Sequence, residues 1–115
     1  MFGKKYEISL NRIHDTVSIR EGGERLLLSV EADPMRMVSG INKAKESLDN
    51  IDDGSDTEQV NNAALAFANA IFGLEQAEKL MDFYHRDGKC VLNVCARYFH
   101  DRLADKITKA QKKIR

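Results

Sequence analysis

The sequence predicts an α+β domain, a small antiparallel β-meander followed by a mainly helical remainder of about four helices. Three observations predict it. Apolar residues recur at every second position up to Ala32 and at helical spacing beyond it. Gly22-Gly23 separates two of the alternating runs, where a tight turn needs positive φ. Asp33-Pro34 and Asp56 are helix-start signals. The 115 residues are the size of one domain, and 43% apolar with 31% charged residues suits one solvated core.

In residues 1–32, Tyr6, Ile8 and Leu10 alternate with Glu7 and Ser9, and Val17 and Ile19 alternate with Thr16, Ser18 and Arg20. Leu26, Leu28, Val30 and Ala32 form the third alternating run. A period of two gives each strand one buried and one wet face, so three strands are expected. Residues 33–105 read as helical. Asp33 offers its carboxylate to free N–H groups, Pro34 suits the first helical position, and Val38, Ile41, Lys45 and Leu48 mark the expected inner side as far as Asn50. Asp56 and Gln59 have capping-box spacing. The second helix then carries Val60, Ala63, Ala64, Phe67 and Ile71, with alanines that permit close helix approach, until Gly73 breaks it. Leu74, Ala77, Leu80, Met81 and Tyr84 mark a short third helix, and Asp87-Gly88 a turn. A fourth is expected with Val91, Cys95, Tyr98, Phe99, Arg102, Leu103 and Ile107 inward, ending in a basic tail, 106–115, that projects or frays.

Eighteen basic residues balance eighteen acidic ones. Zero net charge argues against a dedicated nucleic-acid binder and removes a barrier to self-association. The charge is segregated: residues 46–58 hold six acids and no base, while 97–115 hold seven bases and two acids. No apolar run is long enough to span a membrane, and Met1 to Glu7 lack the apolar stretch of a secretory signal, so a cytoplasmic location is expected. Cys90 and Cys95, five apart on one helix, diverge and are expected to be reduced.

Four chemistries were tested against spacing. Placing Gly54 sixth in a calcium loop puts Ile51 and Val60 at ligand positions, which supply no side-chain oxygen. His85, Cys90, Cys95 and His100 are zinc-type residues, yet steps of five rotate by about 140° on a helix and do not converge. Cys90 with His85 or His14 lacks a nucleophile elbow or phosphate loop, so neither catalysis nor a cofactor is expected. Lys106, Lys109, Lys112, Lys113 and Arg115 could touch phosphate, but no aromatic residue lies among them to stack bases. The remaining signal is apolar: Phe67, Ile71, Phe72, Leu74 and Leu80 are expected in the core or on a partner-facing surface.

Ile71-Phe72-Gly73-Leu74-Glu75-Gln76-Ala77-Glu78-Lys79-Leu80, then Phe83-Tyr84, then Cys90-Val91 to Cys95 and Phe99, then Arg102 and Lys106-Ile107 before a basic end, resembles small tail-region proteins of phages and prophages. It is similar in particular to tail assembly chaperones of long-tailed phages of Gram-positive hosts, over about residues 57–115. The resemblance implies a small, non-enzymatic protein in the bacterial host cytoplasm that coats the tape-measure protein, helps recruit tail-tube protein and self-associates. Phe67, Ile71, Phe72, Leu74, Leu80 and the five basic tail residues would be its contacts. A connector-like structural part of the particle, and a small nucleic-acid-associated protein using the tail, are the alternative expectations.

Overall fold

The computed structural model describes residues 12–52 and 54–114, with side chains as far as Ala110. Strands β1 (Ile13–Glu21) and β2 (Glu24–Ala32) pair antiparallel, Thr16 opposite Ser29 and Glu21 opposite Glu24. Gly22 and Gly23, at φ +57° and +87°, supply the two positive φ values of a two-residue hairpin turn. Ile13, Ile19, Leu28 and Val30 are buried, while Thr16, Ser18, Ser29 and Glu31 face out. The strand expected over Tyr6–Leu10 lies outside the described residues, so the sheet described has two strands where three were expected.

Helix α1 (Pro34–Asp49) begins where expected: the Asp33 carboxylate accepts from the Met35 N–H, and Pro34 occupies the first turn. Its buried stripe is Pro34, Met37, Ile41 and Ala44, turned from the expected one. Lys45 is exposed, its ammonium 5.1 Å from the Phe99 ring centre, while Val38 and Leu48 are half-buried at the flank. A lysine placed over an aromatic face keeps its charge wet, and Ala44 takes the inner position instead.

Helix α2 (Thr57–Phe72) carries the expected capping box: the Gln59 N–H donates to Asp56, and the Asp56 N–H donates to Gln59 Oε1. It is the central element, packed on α1, β2 and the two helices that follow. Small residues let those neighbours close in: a Cβ built on Gly40 of α1 would lie 3.2 Å from Ala70 Cβ. Gly73, at φ +87°, ends α2 and turns the chain into α3 (Leu74–Phe83).

The link to α4 (Gly88–Tyr98) is a Schellman-type end. The His85 N–H donates to Asp82 O and the Arg86 N–H to Met81 O, with both residues at positive φ. Asp87 then caps α4 through the Lys89 N–H, and the Gly88 N–H donates to Asn61 Oδ1 of α2 at 2.8 Å. The expected fourth helix is interrupted by a π-type turn, Phe99–Leu103, before α5 (Ala104–Ile114). Val91, Cys95 and Tyr98 face inward at steps of four and three, then a step of five leads to Leu103. The wider turn keeps that side chain in the core. Residues expected to form a projecting tail continue as α5, with Ile107 and Ala110 buried, because they complete the apolar side facing α1 and β1. Among the described residues, no helix is long and apolar enough to cross a membrane.

Candidate functional site

β2 rests on α2 and α3, whereas between β1 and α4 the surface opens into a groove of about 510 Å³. One wall is the outer half of β1, Val17 to Glu21. The other is a face of α4 and the π turn, Asn93, Val94, Arg97, Tyr98, Asp101 and Arg102, with Tyr84 and Cys90 at the end. Those α4 positions recur at steps of three and four, so one helix face supplies them. The lining is mixed: Val17 and Val94 are half-buried, while Arg20 and Arg97 stay exposed on the rim.

Asp15 stands behind this lining and holds two of its residues, Tyr98 and Arg102. Its side chain is only 7% exposed, and its Oδ1 accepts from Arg102 Nη2 at 2.8 Å and from the Thr16 N–H at 2.9 Å. Oδ2 accepts from the Tyr98 hydroxyl at 2.8 Å. Burial first, and then this carboxylate, hold the Tyr98 phenol well above the ordinary tyrosine range. Across the same rung, Gln76 of α3 copies a neighbouring strand. Its Oε1 accepts from the Ser29 N–H at 2.7 Å and its Nε2 donates to Ser29 O at 2.6 Å. Nε2 also donates to Phe72 O at 2.8 Å, fixing the amide. Both backbone groups of Ser29 therefore point away from β1, and those of its partner Thr16 point away from β2. The Thr16–Ser29 rung is clamped on both edges of the hairpin, by α3 on one side and by α4 on the other.

The expected contact residues separate. Phe67, Ile71, Phe72 and Leu80 are buried in the common core, where each side chain contributes on the order of 2 kcal/mol to folding. Leu74 is 57% exposed and joins Leu27 and Met35 as the large apolar side chains open to solvent among the described residues. Lys106 is half-buried, and Lys109 is paired with Asp105 at 3.0 Å. The side chains of Lys112, Lys113 and Arg115 lie outside the described residues.

The residues weighed for metal or nucleophilic chemistry are dispersed. Cys95 is buried and its thiol is pushed up to about 12 by that burial. Cys90 is raised by desolvation, then by Asp87, to which its thiol donates at 3.5 Å; both effects suppress the thiolate a nucleophile needs. His85 and His100 are exposed. Among the described residues, no three His, Cys, Asp or Glu side chains converge on a metal position. In the acidic connection the Asp52 carboxylate is engaged by the Gly54 N–H at 2.8 Å, and Asp53 lies outside the described residues.

Sequence reasoning missed Asp15, Gln76 and Arg97. Asp15 interrupts the inward series Ile13, Val17 and Ile19, a charged residue on a buried face, which is a readable signal. Gln76 carried no such signal. No protein-family model, no curated protein and no solved structure matches the chain.

Proposed function

We propose that this protein is a non-enzymatic binding module of phage tail assembly, a chaperone that holds the tape-measure protein until the tail tube encloses it. The observation that carries the binding reading is the groove between β1 and α4. It is an open cleft lined by apolar groups, by Arg20, Arg97 and Arg102, and by the carboxylates of Glu21 and Asp101. The buried Asp15 carboxylate behind it is spent on Tyr98 and Arg102 rather than aimed at a reacting atom. Such a surface suits a polypeptide laid along it. The residue pattern over 57–115 supplies the class of client.

The chain's segregated charge supports self-association in the same role. The acidic connection of one copy would face the basic end of the next, a head-to-tail contact that builds rings or open helices. The test is co-expression with the tape-measure-like protein encoded nearby, followed by pull-down. The client should stay soluble and co-purify with the wild-type chain. Arg97→Glu should reduce recovery at least tenfold, because it reverses the charge of an 87% exposed rim residue and, with its partner Asp101 at 3.9 Å also exposed, leaves the core undisturbed. A client that is insoluble, or soluble but never retained, sinks the chaperone reading.

A further inference from the structure

We propose that the outer part of the hairpin, Ser18 to Leu27, is a flap over the β1–α4 groove, anchored behind by the clamped Thr16–Ser29 rung and the buried Leu28. The rung is held from both edges, by the Gln76 amide and by Asp15 with Tyr98 and Arg102. Inward of it lie Ile13 and Val30, both buried; immediately outward lies Leu28, also buried. Beyond Leu28 the anchoring thins. Arg20 to Arg25 are all exposed, and Val17 and Leu26 are half-buried. Ile19, 8% exposed, is the buried side chain that this outer part sets on the helical body.

A two-stranded ribbon keeps its own ladder when it bends, so among the described residues moving the flap breaks no strand pairing. It only lifts Ile19 from its seat and widens the space facing Val94 and Arg97. Elements with few buried contacts open at low free energy, independently of the core, and segments of this kind gate clefts on the microsecond to millisecond scale. Asp15, Tyr98, Arg102 and Gln76 act here as positioning residues: they set where bending begins. The inference concerns access to the groove and not its occupant, so its failure leaves the protein-binding reading standing.

The test is methyl relaxation dispersion on the full chain, labelled at isoleucine, leucine and valine. Ile19, Val17, Leu26 and Val94 should show exchange, with flat profiles at Ile41, Leu80 and Leu103. Asp15→Asn, which keeps the size but removes the charge, and Gln76→Ala should each raise the open population at least fivefold at those positions only. Tyr98→Phe serves the same purpose should either variant fold poorly. Flat profiles at Ile19 in the wild type and in the variants would overturn the proposal. Exchange of equal size at Ile41 and Leu80 would overturn it as well, because it would report opening of the whole molecule.

Discussion

Gly88 sits where α4 begins, against the first turns of α2, and replacing it with alanine is the sharpest single perturbation of the packing. A Cβ built there would lie 2.5 Å from Asn61 Oδ1, 2.9 Å from Asn61 Cα and 3.1 Å from Asn61 N. The first of these atoms could swing aside, but the other two are backbone and cannot. α4 would have to back away from the central helix and stretch the 2.8 Å bond from the Gly88 N–H to Asn61. Overpacking of this kind costs about 1–3 kcal/mol. Losing a partly buried hydrogen bond adds about 1 kcal/mol, and alanine's better helix propensity returns at most about 1 kcal/mol. The expected net loss is about 2 kcal/mol, read as a lower urea midpoint at unchanged slope when helicity is followed by circular dichroism. Asn61→Ala in the same chain should not rescue it, because the obstructing atoms are backbone. Gly40→Ala is the control: its Cβ would meet the Ala70 methyl at 3.2 Å, so strain and propensity gain should nearly cancel. Equal stability of Gly88→Ala and wild type, or full rescue by Asn61→Ala, would refute this account of the α2–α4 contact.

The other predictions concern single sites. The Cys95 thiol is raised from 9.0 to about 12, so the folded state holds its proton more tightly than the unfolded state. Stability is then fully present below pH 9 and lost as pH rises through the folded value. Cys95 alone should remove about 1.4 kcal/mol between pH 7 and pH 10, and Cys95→Ala should flatten the slope by that amount; parallel pH profiles for the two proteins would contradict it. His85→Gly should stabilise by about 0.5–1 kcal/mol in thermal unfolding, because the residue sits at φ +54° at a helix end where glycine carries no Cβ penalty; a lower melting temperature would count against the Schellman assignment. Leu80→Ala should cost about 3 kcal/mol, whereas Leu74→Ser should stay within about 0.5 kcal/mol. Comparable losses at the two would mean that Leu74 is not a surface residue in solution.

The elements that were legible in the sequence are those fixed by neighbours in the chain. The capping box joins Asp56 to Gln59, three residues away, and the hairpin turn needs only Gly22-Gly23. The errors came where a local pattern had two physical solutions. On α1, Lys45 could have lain inward along its stem or outward over Phe99, and the ring decided it. In 106–115 Ile107 was expected inward, but the density of lysine hid Ala110, which continues the core side of the helix. The π turn was hidden, because Cys95, Phe99, Leu103 and Ile107 recur at the steps of four of an unbroken helix. The groove was not legible either. Asp15 meets Tyr98 across 83 residues and Arg102 across 87, and Gln76 meets Ser29 across 47. Alternation predicts which way a strand residue points, but not which helix lies opposite.

The alanines of α2 permit close helix approach, and the packing uses them in that way. Ala63, Ala64 and Ala68 are buried because α2 has neighbours on several sides, and small side chains are what let several elements converge on one helix. What α2 leaves exposed is polar, Thr57, Glu58, Gln59, Asn62 and Asn69, so its apolar side is spent on the core rather than kept for a client. Among the described residues, the apolar surface left for a partner lies at the β1–α4 groove and at Leu27, Met35 and Leu74. The groove is the better placed, because it combines apolar and charged lining of both signs within one cleft, whereas the three exposed side chains lie on separate elements. The clamped rung explains how a two-stranded sheet can border an open groove without collapsing into it. Gln76 and Asp15 hold the hairpin at mid-length from opposite edges, so its outer half can stand off from α4 while its inner half remains part of the core.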